Sequence, residues 1–447
     1  MISEALLHYA WKHSIYSHFD FKTSDGQPLQ IIHPGLPHQD AGPDFKQAVI
    51  KIGDLLWTGN VEIHVKSSDW LKHRHHEDAK YETVILHVVY EHDYEINYKG
   101  GSPIPTFELK NHLSSQLIER YTQLMLSTSP LPCAQFVQNL KAHQPDYYRL
   151  IFHSLYARLI LERLEQRSKD IFATLNQVSG DWNETLFRLL TANFGFKTNR
   201  DAFVLLAQSI PYKVIQKHAT NQLQIEAILF GQAGLLEEPL DDPYYVTLQE
   251  EYEYLRRKER LHPIHPKNWN LLRLRPQNFP CMRLAQLSAI LYRYPNLFTK
   301  IEQHTEIAQF AEIFSTPANS YWETHYQFGK ESKKHATTIG ENTFQLLIIN
   351  TIIPALYVYG IFSGKEELSD RAIDLLAQME AEDNRIIRFY RENHFEISNG
   401  MESQAVLELS KRYCQHKQCL SCSLGSKIVS EDDIFYAGTP QRKRPTE

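Results

Sequence analysis

The stretch HQDAGPDFKQAVIKIGDLLWTGNVEIHVKSSDW, residues 38–70, contains two runs rich in Val and Ile on either side of Gly53 and Asp54. Short runs of this kind, bounded by Gly, Asp or Pro, are typical of β-strands, and the short polar connection predicts a hairpin. Asp44 follows Pro43 at the beginning of the first run, and Glu62 lies in the second. The hairpin would therefore bring two carboxylates to adjacent strands.

The segments around this hairpin predict a domain of helices and strands over residues 1–126. Ser3 is a candidate N-cap for a first helix, and SSQLIERYTQLM has the pattern of another helix. Further strand-like runs are LQIIHPG, TVILHVVYEHD and SPIPTFELK. Because TVILHVVY is apolar at nearly every position, we expect it to be a central strand that is buried on both faces.

The rest of the chain predicts a larger all-helical domain. Residues 127–146 contain three Pro among polar residues and are interpreted as a linker. Residues 147–412 repeat apolar positions at spacings of three and four, as helices do. Residues 413–430 form a Cys-containing C-terminal segment, and the polar residues 431–447 are expected to be a flexible tail.

Composition limits the class of protein. The N-terminus lacks a basic region before an apolar core, and no run reaches eighteen apolar residues, so we expect a cytoplasmic protein with no membrane partner. The longest apolar run, FQLLIINTIIPALYVYGIF, is interpreted as a buried helix. The net charge of −6 provides no general attraction to nucleic acid, so such binding would require a local basic patch. The oligomeric state is left open.

The second run of the hairpin carries a candidate catalytic set. Side chains alternate along a strand, so Glu62, His64 and Lys66 project to one face. Carboxylates of Asp44 and Glu62 on adjacent strands could share Mg²⁺ or Mn²⁺, and a water on that ion could become a nucleophile. The alternative is an ordered hairpin with acids on its surface.

This arrangement resembles the PD-(D/E)XK nucleases, in which a Pro-Asp pair precedes a hairpin and an acid-x-Lys motif. The resemblance implies an α+β chain with an N-terminal restriction-endonuclease-like α/β domain, whose core runs helix, three strands, helix, strand. It further implies that Asp44 and Glu62 bind metal, and that Glu4 on the first helix adds a ligand. His64 stands where that family has its catalytic lysine, and Lys66 is a candidate to replace it.

The whole chain also resembles a bacterial family known as domain of unknown function 2851. The resemblance rests on AGPDF, GNVEIHV, the VILHVVYEHD run, EAILFGQAGLL and RPQNFP, which are spread over nearly the whole sequence. It implies no assigned activity.

Histidines are concentrated near the hairpin, because twelve of the 22 lie in the first 125 residues. The segment SSDWLKHRHHEDAKYETVILHVV adds six possible accessory ligands, which are Asp69, His73, His75, His76, Asp78 and His87. His and Asp at this density could bind Zn²⁺ or contact a phosphate. In the alternative interpretation, Asp69 caps a short helix, His76 and Asp78 pair to brace a loop, and His87 is a buried histidine with its hydrogen bonds satisfied.

Two other segments are candidate sites. Residues 256–275 carry seven basic residues against one acid, and its candidate nucleic-acid contacts are Arg256, Arg257, Lys258, Arg260, Arg273 and Arg275. A solvated helix end is the alternative, with Arg273 and Arg275 as possible buried ion-pair partners. Near the C-terminus, a structural zinc site is predicted from Cys414, His416, Cys419 and Cys422. Reduced, partly buried cysteines are the alternative there.

The sequence thus supports three functional hypotheses. In the first, the protein is a metal-dependent nuclease that hydrolyses phosphodiester bonds of DNA or RNA at a two-carboxylate Mg²⁺ site. The second hypothesis is a non-catalytic protein that binds nucleic acid or a partner on a nuclease-like fold. In the third, the His/Asp cluster is a Zn²⁺ hydrolase site for a small substrate.

Overall fold

The structure is a computed structural model that describes residues 2–17, 19–38 and 40–430. The chain forms two compact units. The first comprises the described residues of 1–155, 388–396 and 407–447, and the second comprises residues 156–387 and 397–406. The tail predicted at 431–447 lies outside the described residues. The first unit combines a sheet with helices and the second is mainly helical, so the mixed α+β class is confirmed.

A six-stranded sheet organises the first unit. Its strands are β1 (Leu29–His33), β2 (Leu36–Pro37), β3 (Phe45–Ile52), β4 (Leu55–Lys66), β5 (Val84–Glu91) and β6 (Thr106–Glu108). The order is β1-β3-β4-β5-β6, and β2 pairs with the beginning of β3. The β1–β3 and β3–β4 pairs are antiparallel, whereas the β4–β5 and β5–β6 pairs are parallel.

The predicted hairpin is present. Ile52 pairs with Leu55, so the loop consists of Gly53 and Asp54 alone. Gly53 has φ +56, the left-handed conformation that a two-residue hairpin turn requires and that glycine adopts most easily. The hairpin fixes the register of the two strands that carry Asp44 and Glu62.

Strand β5 is central, as predicted. It lies between β4 and β6, and its first six residues are buried. Gly59 of β4 allows the pairing of β4 with β5. A Cβ added at Gly59 would lie 2.4 Å from Ile85 Cγ2 and 2.9 Å from the carbonyl oxygen of Thr83. Gly59 therefore lets the beginning of β5 approach β4 closely.

Nineteen α-helices surround or follow the sheet in the described residues. They are α1 (Glu4–Lys12), α2 (Asp69–Lys72), α3 (Ser115–Leu126), α4 (Ala134–His143), α5 (Pro145–Gln177), α6 (Trp182–Phe194), α7 (Arg200–Ser209), α8 (Tyr212–Lys217), α9 (Gln222–Gln232), α10 (Pro243–Glu259), α11 (Pro280–Arg293), α12 (Leu297–Gln303), α13 (Ile307–Phe314), α14 (Glu341–Leu347), α15 (Ile353–Ser363), α16 (Glu366–Gln378), α17 (Arg385–Glu392), α18 (Gly400–Glu408) and α19 (Ser423–Ser430). The 127–146 segment, predicted as a linker, contains α4.

Helix α1 begins where the sequence predicts it. The Ser3 hydroxyl accepts a hydrogen bond from the Leu6 backbone N–H, 3.4 Å away, as an N-cap does. Leu6, Leu7 and Trp11 are fully buried, so one face of the helix packs into the first unit. This packing fixes the direction in which the polar residues of α1 project.

The second unit has a large apolar core and one small additional sheet, made by β7 (His325–Gln327) and β8 (Lys330–Glu331). Within this unit, α14 and α15 join through a π-helical turn into one long helix, Glu341–Ser363. It is long and apolar enough to cross a membrane, but 67% of its most apolar window is buried. A mostly buried helix is typical of the core of a soluble protein, as the sequence predicts.

Candidate metal centre

The two predicted carboxylates are held together across the hairpin. The Asp44 backbone N–H donates to Glu62 Oε2 at 3.1 Å, and the Ile63 backbone N–H donates to Asp44 Oδ2 at 2.9 Å. Each carboxylate is therefore fixed by the backbone of the opposite strand. The register of β3 and β4 shifts between Phe45 and Ala48, where Gln47 has φ +58, so a bulge sets this local geometry.

A cluster of three histidines adjoins Glu62. One ring nitrogen from each of His64, His73 and His75 lies within 4.8 Å of the other two. Within the described part of the chain, no other set of three potential metal-ligand atoms from His, Cys, Asp or Glu is this compact. Glu62 Oε1 lies 3.2 Å from His75 Nε2 and 3.7 Å from His64 Nε2. We call Glu62 and these three histidines the histidine centre.

The connection from β4 to β5 brings two of these histidines back to the strand. Helix α2 ends at Lys72, His73 follows it, and Arg74 has φ +60. This left-handed residue turns the chain so that His75 also faces β4. Ser67 braces the connection, because its buried hydroxyl accepts from the Asp93 and Tyr94 backbone N–H groups at 3.0 and 2.8 Å.

Hydrogen bonds orient the His64 ring. His64 Nδ1 lies 2.8 Å from His87 Nε2, and His64 Nε2 lies 3.1 Å from His73 Nδ1. If the His64 proton is on Nδ1 and is donated to His87, the Nε2 lone pair faces the centre. His87 is fully buried and contacts the ring nitrogen of His64 that faces away from the centre, as residues that orient metal-binding histidines do.

Aromatic rings lock the same side chains. Tyr81 stacks on His75 with ring centroids 3.8 Å apart. Trp70 is buried and lies edge-on to His75 at 5.4 Å and tilted against His87 at 5.1 Å. Packed rings lose little entropy on binding a ligand, so the centre is preorganised.

Burial keeps the imidazoles of His64 and His87 neutral. Burial, reinforced by the neighbouring histidines, lowers the pKa of His64 to about 2. Burial likewise lowers the pKa of His87 to about 3. Burial raises the pKa of Glu62, and the contact with His75 offsets this only in part. Neutral imidazole is the form that binds a metal ion, so His64 is ready as a ligand at neutral pH.

The first helix contributes His8, which the sequence analysis missed. His8 Nε2 lies 3.2 Å from Asp44 Oδ2. Burial lowers the pKa of His8, but the hydrogen bond and charge of Asp44 outweigh burial, and the net effect raises that pKa. Glu4, which was predicted as a metal ligand, lies one turn earlier and adds a charge that acts on His8. The spacing of four between Glu4 and His8 on one helix face was the available signal.

Other residues predicted for this site lie elsewhere. Lys66 is half-exposed at the end of β4, and its Nζ lies 3.7 Å from Glu91 and 4.0 Å from Asp93. Lys66 pairs with these two acids. No contact in the described residues favours the prediction that Lys66 replaces a catalytic lysine. Asp69 is the first residue of α2, whose N-cap residue is Ser68, so the predicted capping by Asp69 is wrong. Its carboxylate instead accepts from the Lys66 backbone N–H at the end of β4.

His76 and Asp78 also lie outside the centre. His76 is exposed and lies 3.5 Å from Glu77, so the predicted pairing with Asp78 is wrong. Asp78 instead caps a short 3₁₀ helix by accepting from the Lys80 backbone N–H. These two residues shape the loop that carries His75.

The predicted basic segment lies in the second unit. Its six candidate residues, Arg256, Arg257, Lys258, Arg260, Arg273 and Arg275, are all exposed. The buried ion pair considered for Arg273 and Arg275 is therefore wrong. Arg256 and Arg257 approach Glu253 at 3.4 and 3.7 Å, which reduces the free positive charge at the end of α10.

The fold and the site thus define a mixed α+β protein with a histidine-rich candidate metal centre on its sheet. The family described as a protein of unknown function, DUF2851, matches the chain over residues 4–385. Because this match covers most of the sequence, the chain belongs to that family. No curated protein and no solved structure matched it.

Proposed function

We propose that this protein is a divalent-metal-dependent hydrolase that cleaves phosphodiester bonds in nucleic acid. His64, His73, His75 and Glu62 would hold the metal ion. The observation that carries this proposal is the convergence of three histidine nitrogens within 4.8 Å beside a buried carboxylate. Three histidines, or histidines with one glutamate, are the protein ligands of many catalytic zinc sites.

The donor set fits a transition metal better than magnesium. Imidazole suits Zn²⁺, Fe²⁺ and similar ions, whereas Mg²⁺ prefers carboxylate, carbonyl and water. His75 Nε2 lies 3.2 Å from Glu62 Oε1, so one cation could bind both a nitrogen and an oxygen donor here. We therefore favour Zn²⁺ or Fe²⁺ over the Mg²⁺ or Mn²⁺ that the carboxylate pair suggests.

The sheet supports the nuclease class. A helix, three antiparallel strands, a crossover and a fourth strand parallel to the third occur in the order α1, β1, β3, β4 and β5. The PD-(D/E)XK resemblance implies the same order of strands, and the short helix α2 (Asp69–Lys72) lies in the crossover where that family has its second helix. Asp44 precedes the second of these strands and Glu62 lies in the third, which are the positions expected for the paired acids.

The side chains around the centre have separate roles in the proposal. When bound, the metal would polarise the phosphodiester and lower the pKa of a water molecule. Asp44 fixes the His8 ring and favours its protonated form. A protonated His8 can stabilise the charge that develops on the phosphate, which is the role that lysine has in the family that the chain resembles. His87 orients the His64 ring through the contact between His64 Nδ1 and His87 Nε2.

The second candidate is a non-catalytic protein that binds nucleic acid or a partner. Both ring nitrogens of His64 already contact other histidines, and this supports a purely structural cluster. The net charge of −6 also disfavours strong binding to a polyanion. The experiment below separates the two candidates. In both, the cytoplasm is the proposed location.

A cleavage assay with matched histidine variants tests the function. The metal-free protein would be incubated with labelled single- and double-stranded DNA and RNA, with Zn²⁺, Mn²⁺ or Mg²⁺ added in turn. We expect metal-dependent cleavage by the wild-type protein and a loss of about 100-fold or more in His75→Gln, because the substitution removes a ligand. His76→Gln is the matched control, since this neighbour is exposed and pairs with Glu77, and it should retain wild-type activity.

Calorimetry on the same proteins completes the test. Divalent-ion binding that is lost in His75→Gln and retained in His76→Gln would support the metal centre. Salt-sensitive binding of nucleic acid without cleavage under any metal would overturn the hydrolase and leave the non-catalytic candidate.

A further inference from the structure

Four cysteines converge in the first unit, and one of them was not foreseen. The sequence analysis grouped Cys414, Cys419 and Cys422 with His416. The structure places Cys133, almost three hundred residues earlier, beside the three C-terminal cysteines, close enough for their charges to act on it. His416 is exposed and is not among the residues that line the shared cavity.

The cysteines surround a cavity of about 150 Å³. Its other walls are mainly apolar and include Leu124, Leu131 and Pro132. All five cysteines of the chain lie among the described residues, and the structure contains them as thiols rather than disulfides. Four thiols in one apolar cavity have the donor chemistry of a site for thiophilic metals.

The spacing of the sulfur atoms indicates more than one metal ion. Tetrahedral zinc with Zn–S bonds of about 2.3 Å would hold its thiolates about 3.8 Å apart. In the described residues, no three of the four sulfur atoms lie within 4.8 Å of one another. A cluster of several iron and sulfide ions fills a cavity and separates its thiolates further. The sequence spacing C-x₄-C-x₂-C, from Cys414 to Cys422, is also one that holds such clusters.

Burial raises the pKa of Cys133 and Cys419 and raises that of Cys414 to about 11, so the metal-free cysteines are thiols. Three neighbouring features nevertheless favour the thiolate form that a metal binds. The buried Tyr390 hydroxyl hydrogen-bonds to Cys414, and hydrogen bonds to sulfur are a recognised means of tuning iron–sulfur centres. Cys133 is the N-cap residue of α4, where the helix dipole favours negative charge. Lys417 lines the cavity and acts electrostatically on Cys419.

The loop that carries the C-terminal cysteines is held tightly. A Cβ added at Gly425 in α19 would lie 2.1 Å from the Cys419 carbonyl oxygen, so only glycine allows the helix to approach this closely. Helix α19 also meets α1, because the Tyr9 hydroxyl donates to the Ser426 carbonyl oxygen at 3.0 Å. Tyr9 is next to His8, so the cysteine segment supports the helix that contributes to the histidine centre.

We propose that Cys133, Cys414, Cys419 and Cys422 bind an iron–sulfur cluster. Binding releases the four thiol protons and leaves four thiolate–iron bonds. The cluster joins the segment before α4 to the C-terminal segment and so stabilises α19 against α1. This site is separate from the histidine centre and does not depend on the function proposed for it.

Metal and sulfide analysis of the full-length protein tests the cluster. The protein would be purified without oxygen, and iron, zinc and acid-labile sulfide would be measured with the visible absorption spectrum. We expect about two to four iron ions per chain, an equal amount of sulfide, and broad absorption in the visible range. Cys133→Ser should lose most of the iron. Cys281→Ser, a cysteine of the second unit, should retain it.

His416→Ala keeps the test decisive if Cys133→Ser does not fold. Full iron content in His416→Ala supports the four-cysteine set. One zinc ion per chain without sulfide, or iron that is retained in a folded Cys133→Ser and lost in His416→Ala, would overturn the proposal. Wild-type protein purified without oxygen that contains neither metal would overturn it as well.

Discussion

Glu62→Gln is expected to reduce metal-dependent cleavage by about 100-fold or more while making the metal-free protein more stable at pH 8. The first effect follows because the substitution removes the anionic ligand beside His64 and His75. The second follows because burial makes the ionised form of Glu62 unfavourable, as its raised pKa shows. A gain in stability together with a loss of activity is typical of a functional site.

The sign of the stability effect can be derived from linkage. A carboxyl group whose pKa is raised by folding stabilises the protein fully below its unfolded pKa of 4.5, and this contribution is lost as the pH rises through the folded pKa. The wild-type, metal-free protein therefore carries a cost for Glu62 at pH 8 that is absent below pH 4.5. Gln has no charge, and its side-chain oxygen can still accept from the Asp44 backbone N–H.

Denaturation in the presence of a chelator measures the stability, and the cleavage assay measures the activity. Glu91→Gln is the matched control, because Glu91 is partly exposed on β5 and pairs with Lys66 at 3.7 Å. It should leave both quantities close to wild type. Normal turnover by Glu62→Gln, or a metal-free variant that is less stable than wild type at pH 8, would contradict the assignment of Glu62.

The second large effect is a loss of stability in acid that depends on His64 and His87. Folding lowers their pKa values from 6.5 to about 2 and about 3. The unfolded chain therefore binds more protons than the folded chain below pH 6.5. The stability contributed by these neutral histidines is fully present above pH 6.5 and falls as the pH decreases toward the folded pKa values.

This loss of stability is about 5 kcal/mol at pH 4.5 for the two histidines together, because pH 4.5 is about two units below the unfolded pKa of each histidine. We expect His87→Gln to lose about half of this pH dependence in the metal-free protein. His76→Gln should keep all of it, because His76 is exposed. Urea unfolding at pH 7 and pH 4.5 measures both. A pH dependence in His87→Gln equal to that of wild type would show that these histidines do not titrate as a buried cluster.

The sheet was predictable because its signals are local. Runs of Val and Ile and the Gly53–Asp54 turn specify β3 and β4, and the continuous apolar run specifies β5. The position of Asp44 relative to Glu62 followed from the hairpin, since pairing and register depend on neighbouring segments.

The rest of the site required long-range packing. His8 reaches Asp44 only because the buried residues of α1 fix the orientation of that helix against the sheet. His75 enters the centre because Arg74 takes a left-handed conformation, which its residue type does not indicate. Lys66 lies at the end of β4, but acids at and just after the end of β5 pair with it, and strand alternation alone does not show this.

The cysteine site shows the same limit on a larger scale. The three C-terminal cysteines are close in sequence and were recognised as a group. Cys133 joins them only because residues 407–430 belong to the same compact unit as residues 1–155. Spacing along the chain contains no information about that association. The sequence therefore predicts His416, a near neighbour of the three cysteines, as a ligand in place of Cys133.

Anomalous X-ray diffraction from crystals of the metal-free protein soaked with Zn²⁺, recorded on both sides of the zinc absorption edge, tests the central claim most directly. We predict a peak about 2.0–2.1 Å from ring nitrogens of His64, His73 and His75, with a Glu62 oxygen as a further ligand. The peak should be absent in His75→Gln crystals that are soaked in the same way. A wild-type map with no zinc peak at these four side chains would contradict the account.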